Sequence, residues 1–302
     1  MKDKVLLILK GFVLGIANII PGVSGGTLAI TLGIYERMIE AISHFFSNFK
    51  DNLKFVMFLG IGILISLALF SNVIGFCLDN YQFATILFFI GIILGGMPIL
   101  FKNVKGTKNV GNILVFTIAF LIVMLMTFMS AGDKTISLDT LSVGKIISLF
   151  FSGMIASASM LLPGISGSFV LMLIGYYHPI VNAIRSLTKF ENLFHNIIVL
   201  GIAGFGILLG IVLAAKLIEY LLGKYEIPTY YGIIGFVIAS IISIFITAVS
   251  SSVGIIEIII GILLMIFGIG LIISFILPME FLVIILTLIV IYIGFLVFKN
   301  CR

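Results

Sequence analysis

The chain has 302 residues, 62% of them hydrophobic and only 10% charged, with a formal net charge of +5 and a mean hydropathy of +1.37. Soluble domains carry about 25% charged residues, so a water-soluble globular fold is excluded. The apolar runs are continuous rather than alternating, which selects membrane helices over a β-barrel. The positive charge lies in short loops. It suits membrane orientation and excludes nucleic acid as a partner, because no basic face is large enough to track a phosphate backbone. Cys77 and Cys301 are the only cysteines, so neither a disulfide framework nor a metal cluster is expected, and no cofactor is implied.

In chain order, Lys2 and Lys4 precede an apolar run that resembles a signal peptide but lacks a small-residue cleavage site, and it is read as retained. A first hairpin is expected over 5–36, broken at Pro21-Gly22-Val23-Ser24-Gly25-Gly26-Thr27. A polar loop follows at 36–54. Membrane spans of about 20 apolar residues are expected at 55–77, 83–101 and 112–130. Residues 131–145 form a polar linker. A second hairpin is expected over 146–180, broken at Pro163-Gly164-Ile165-Ser166-Gly167-Ser168. Then come a polar loop and spans at 196–222, 229–249 and 254–276. A C-terminal span is expected within 279–302.

The two halves, 1–130 and 146–276, align at an offset of 142. Gly11, Pro21, Gly22, Ser24, Gly25, Gly33, Tyr35, Ala41 and Ile42 are identical to their counterparts. After a two-residue insertion the register continues, with Thr85 matching Thr229 and Gly91 matching Gly235. If each broken segment enters and leaves on one side, eleven Lys and Arg fall on the N-terminal side and six opposite. If both broken segments cross, the division is seven to ten. Positive charge concentrates on the cytoplasmic side, which favours two re-entrant hairpins and an internal N-terminus. Each half then has three crossings, an odd number, so the second half is inverted. The expected architecture is an all-α inverted repeat, each half a re-entrant broken helix plus three transmembrane helices, with one extra C-terminal helix. That is a plan of secondary transporters.

The breaks carry the candidate chemistry. Pro21 and Pro163 suit the first turn of a helix. Gly22, Gly25, Gly26, Gly164 and Gly167 leave backbone N–H groups uncovered, and Ser24, Thr27, Ser166 and Ser168 add hydroxyls. A helix N-terminus carries about half a positive charge and attracts anions. Two such termini meeting near the midplane would form an anion pocket without a bare Lys or Arg in lipid. Arg37 and Arg185 follow the two hairpins, and a guanidinium suits a phosphate headgroup. The competing reading makes both interfacial anchors. Lys216 and Glu219 lie one helical turn apart and read as a local ion pair. Glu219 and Glu257 are the candidate groups for coupling to a proton or sodium ion.

Gly22-Val23-Ser24-Gly25 and Gly164-Ile165-Ser166-Gly167 also match the G-x-S-G of intramembrane serine proteases. That chemistry needs a base beside the serine, and His44, His178 and His195 all lie at loop or hairpin ends. A small-ion channel or transporter is the stronger rival.

Through Pro21-Gly22-Val23-Ser24-Gly25-Gly26-Thr27, Leu162-Pro163-Gly164-Ile165-Ser166-Gly167-Ser168 and the following Gly175-Tyr176-Tyr177, the chain resembles the bacterial polyprenyl-phosphate transporters of the PopT type, long catalogued as a domain of unknown function. The resemblance covers nearly the whole chain. It implies a multi-pass plasma-membrane translocase, not an enzyme. Such a protein returns undecaprenyl phosphate from the outer to the inner leaflet for cell-envelope polymers; alternating access of the two hairpin bundles about the pocket is the mechanism expected. The second motif has Ser168 and Phe169 where the first has Gly26 and Thr27, so the two sites need not bind equally.

Overall fold

A computed structural model describes residues 2–19, 24–129, 135–138, 140–249 and 253–276. Within them the chain is entirely helical. The first half runs α1 (Lys2–Asn18), α2 (Gly25–Thr31), α3 (Tyr35–Ser43), α4 (Phe49–Asn80), α5 (Gln82–Asn103) and α6 (Val110–Phe128). The second runs α7 (Val143–Leu161), α8 (Gly167–Leu173), α9 (Tyr177–Thr188), α10 (Leu193–Lys224), α11 (Glu226–Val249) and α12 (Ile255–Ile276). Pro21, Gly22 and the C-terminal span expected within 279–302 lie outside the described residues, as do residues 131–134 and 139 of the linker.

Seven helices, α4 to α7 and α10 to α12, are long and apolar enough to cross a bilayer. Leu64 and Leu69 of α4, Leu121 and Leu125 of α6, Phe205 and Leu208 of α10 and Leu263 of α12 are all exposed. Apolar patches of that extent require a lipid solvent. α5 is instead buried along most of its length and forms the centre of the bundle.

The elements recur in register. α4 and α10 both have 32 residues and start 144 positions apart, while α2 and α8 both have seven and start 142 apart. Gly33 and Gly175, also 142 apart, both adopt positive φ, +63° and +81°. Glycine takes that conformation without a Cβ penalty, and in both halves it turns the chain out of the short helix.

Helix directions follow from the contacts. Lys4 lies over the Phe58 ring, 5.4 Å from its centroid, and a Cβ on Gly15 would meet Ile63. α1 and α4 are therefore parallel and start at the same end, so the chain between them returns to that end. In the second half Phe150 packs on Phe205 at 6.0 Å and Gly210 faces Ser157. The same return occurs there, with α8 and α9 bent by 110°. Between the halves, α5 and α11 are antiparallel: Phe83 packs on Phe245 at 6.4 Å, and Asn103 lies beside Tyr230. The last helix of each half packs on the other half. Gly91 and Gly268 seat α5 against α12, and Gly235 seats α11 against α6, where Thr127 Oγ1 lies 2.8 Å from Ser243 Oγ.

The regions expected as polar loops hold amphipathic helices. α3 carries Glu36, Arg37 and Glu40 but buries Tyr35, Ile39, Ala41 and Ser43. α9 places Ile180 and Ala183 in a small apolar cluster with Tyr176 and Val199.

Candidate functional site

The two breaks meet inside the bundle. α7 ends at Leu161, which leaves C=O groups without helical partners. Side chains of the first half supply them: Tyr35 donates its hydroxyl to Leu161 O at 3.0 Å, and Ser24 Oγ lies 3.4 Å from Leu162 O. In return the Gly164 N–H donates to Thr27 Oγ1 at 2.8 Å. Ser24 and Thr27 are 3% and 1% exposed, so these bonds form away from solvent. Gly26 lets α2 approach closely; a Cβ there would lie 3.1 Å from Leu161 O and 3.3 Å from Pro163 N. Gly164 itself sits at φ +82° with its would-be Cβ 2.5 Å from Phe236 O, so no other residue fits without strain.

Ser166 Oγ and Ser168 Oγ are 2.8 Å apart, and Ser168 is exposed. Gly167 packs against α7, its would-be Cβ 2.6 Å from Ala156 O. Gly25 faces the Asn18 carboxamide at the end of α1. An apolar groove of about 410 Å³ begins at Leu162 and Pro163 and runs between α6, α10 and α11, past Ile118, Ile218 and Phe236.

The remaining sequence candidates lie elsewhere. Arg37 is on α3, with Nη2 donating to Asn52 Oδ1 at 2.8 Å, Nη1 donating to Glu40 Oε2 at 3.2 Å, and the guanidinium 5.2 Å from the Phe55 ring. Arg185 is exposed in the last turn of α9. Glu219 does not pair with Lys216; its carboxylate meets His44 Nε2 at 2.9 Å, joining α10 to α3. A helical i, i+3 spacing only permits a pair, and here the packing of α3 supplies a nearer one. Glu257 sits in the first turn of α12, with no hydrogen-bonded or charged partner among the described residues.

Sequence reasoning missed two contacts. The Tyr230 hydroxyl donates to the Glu36 carboxylate, fastening α3 to α11. Tyr35 caps Leu161; its identity with Tyr177 across the repeat was the available signal. Neither Ser24 nor Ser166 has a histidine partner among the described residues. His178 packs edge-on to Tyr177, and His195 lines a cavity between α9 and α10. No group of three or more metal-ligating side chains occurs among the described residues.

Apolar outward faces with polar, broken segments joined in the interior define a multi-pass integral membrane protein of the transporter class. The sequence model of the VCA0040-like, undecaprenyl phosphate translocase-like family matches residues 14–254, and the chain belongs to that family. It is similar to the polyprenyl-phosphate transporter of Staphylococcus aureus (strain NCTC 8325 / PS 47), 37% identical over 242 residues that cover 79% of this chain and 85% of the relative. It is also similar to the polyprenyl-phosphate transporter of Vibrio cholerae serotype O1, 27% identical over 247 residues, 77% of this chain and 75% of the relative. No solved structure matches. The family is one of bacterial membrane transport proteins, not enzymes.

Proposed function

We propose that this protein carries undecaprenyl phosphate across the plasma membrane, returning it from the outer to the inner leaflet by alternating access. The observation that carries the reading is the contact between the two breaks, Gly164 N–H to Thr27 Oγ1 and Ser24 Oγ to Leu162 O. It gathers Ser24, Gly25, Gly26, Thr27, Gly164, Ser166, Gly167 and Ser168 near one another; in this conformation Ser24, Thr27 and the Gly164 N–H serve one another and Leu162, and the Ser166 and Ser168 hydroxyls are the open donors. A phosphate monoester has a charge of about −1.5 to −2 near neutral pH and needs such donors to leave water. The isoprenoid tail has no such need. It stays in lipid or in the apolar groove beside Pro163 while the head moves.

An inverted repeat with two re-entrant hairpins is the topology we assign. The parallel pairs α1–α4 and α7–α10 and the antiparallel α5–α11 support it. So does the asymmetry of the two ends. On one face α3 is fastened to α10 and α11 by His44–Glu219 and Glu36–Tyr230. Its counterpart α9 is not packed on α4 in the same way and borders a cavity instead. We assign the closed α3 face to the cytoplasm, from the basic residues, and the α9 face to the outside. A coupled proton or sodium ion would offset the charge moved, with Glu219 and Glu257 as candidates.

The test is reconstitution into liposomes with a fluorescent polyprenyl phosphate, scoring leaflet exchange by a membrane-impermeant quencher, with and without a pH or sodium gradient. Exchange well above that of empty liposomes is the expected result. Flux of a small anion without lipid movement would overturn the reading.

A further inference from the structure

A cavity of about 540 Å³ lies between α9, α10 and residues 135–138. Its origin is visible in the repeat. At offsets of 142 and 144, Pro179, Asn182 and Ser186 of α9 correspond to Arg37, Glu40 and His44, while Asn192, Asn196 and Val199 correspond to Asn48, Asn52 and Phe55. In the first half this position is filled by the Arg37 guanidinium, held by Asn52, Glu40 and the Phe55 ring. The asparagine below it donates to a preceding backbone carbonyl in both halves, though not to the equivalent one. Asn52 Nδ2 donates to His44 O at 2.8 Å, and Asn196 Nδ2 donates to Glu191 O at 2.9 Å. In the second half the arginine has become Pro179, the carboxylate Asn182 and the ring Val199. The occupant, its counter-ion and its aromatic floor are gone together, and the space remains.

The described residues that line that space are uncharged or basic. Hydroxyls come from Thr135, Ser137 and Ser186, carboxamides from Asn182, Asn192 and Asn196, and an imidazole from His195. Among the described residues no carboxylate lines it. Asn196 is only 8% exposed, so its carboxamide belongs to a built wall and not to a solvated rim. Arg185 directly precedes Ser186, and Lys189 follows at the end of α9. Residues 135–138 are tied to the hairpin by Ile136 N–H donating to Gly175 O at 3.1 Å. A cation is a poor occupant once Glu40 and Phe55 have no equivalents. A group with several acceptor oxygens and negative charge matches hydroxyl, amide and imidazole donors.

We propose that this cavity is a second headgroup site, which takes a phosphate monoester at the α9 face before it reaches the breaks. The proposal rests on the lipid-transport reading above. It assigns the recognition step of that reading to residues outside the glycine motifs.

The test uses the full chain in nanodiscs and in liposomes. One variant rebuilds the filled seat of the first half, with Pro179→Arg, Asn182→Glu and Val199→Phe together. The second is Asn182→Leu alone, at an exposed position of α9, which keeps the test if the triple variant does not fold. Binding of a soluble short-chain prenyl phosphate is followed by phosphorus NMR, with inorganic phosphate and sodium chloride as separate arms. Both variants are expected to weaken prenyl-phosphate binding about tenfold. They should also raise the lipid concentration for half-maximal return by a similar factor, with the maximal rate retained. Wild-type affinity and concentration dependence in the folded variants would overturn the proposal. So would inorganic phosphate binding as tightly as the prenyl ester, which would make this a free-ion site, or sodium protecting the cavity where phosphate does not. If wild-type protein binds the prenyl phosphate at the cavity but returns no lipid, the transport reading fails and the site stands.

Discussion

Replacing Thr27 by valine keeps the shape of the side chain and removes one oxygen. That oxygen accepts the Gly164 N–H at 2.8 Å and is 1% exposed as part of its residue, so no water replaces it. A buried donor left without an acceptor costs about 1–3 kcal/mol. The loss falls on a backbone already confined to φ +82°, so relaxation cannot easily restore a partner. Thr27→Val should therefore lower thermal stability in nanodiscs by an amount within that range and slow lipid return. Thr27→Ser keeps the acceptor and should be close to wild type in both. The assay pairs a thermal melt with leaflet exchange in liposomes. If Thr27→Val melts and transports as wild type does, the two breaks do not depend on this bond, and the joined-break site is refuted.

Gly164→Ala places a Cβ against Phe236 O in a left-handed conformation that costs an alanine about 1–2 kcal/mol before any clash; its yield of folded protein from membranes should fall sharply, as seen by size-exclusion chromatography. Ser166→Ala and Ser168→Ala together remove the open hydroxyl pair; leaflet exchange should slow severalfold while the melting temperature stays within a degree or two, and an unchanged rate would remove these serines from the site. Tyr230→Phe unfastens α3 from α11. A hydrogen bond to a charged group contributes about 1.5–3 kcal/mol, so the variant should raise labelling of cysteines placed on the inner face of α3 at least tenfold; unchanged labelling would show that this contact does not hold the face closed. Glu219→Gln, acting on a half-exposed pair with His44, should shift the same labelling by less, since exposed ion pairs contribute about 0.2–1 kcal/mol.

The spans were legible because a bilayer demands long apolar runs, and such runs leave little room for error. Their ends were less so: α4 begins at Phe49, six residues before the expected start at 55, because Lys50, Asp51 and Lys54 are exposed on the same helix that buries Asn52. α3 and α9 were hidden for the same reason. Glu36, Arg37 and Glu40 make residues 36–54 look like a loop when charge is counted along the chain, whereas alternating burial of Tyr35 and Ile39 makes α3 a helix. The breaks were visible as Pro-Gly pairs, and their duplication marked them as paired. What composition could not reveal was which groups meet. Ser24 and Thr27 were read as facing a ligand, but in this conformation they serve Leu162 and Gly164. The cavity beside Asn196 was equally hidden. It depends on what Pro179 and Val199 fail to fill, and a single sequence shows that only once its twin has been seen folded.

The exchange of closing helices has a bearing on how this chain is made. When the ribosome has released the first six helices, the glycine face of α5 around Gly91 and Gly95 still awaits α12 of the second half. Until then that face is open to neighbouring chains, and α6 has no seat on α11. A gene cut within 131–145 should therefore yield two fragments that are each degraded when expressed singly and that recover together when coexpressed. The two halves of this protein thus complete each other's packing, and neither is finished before the other.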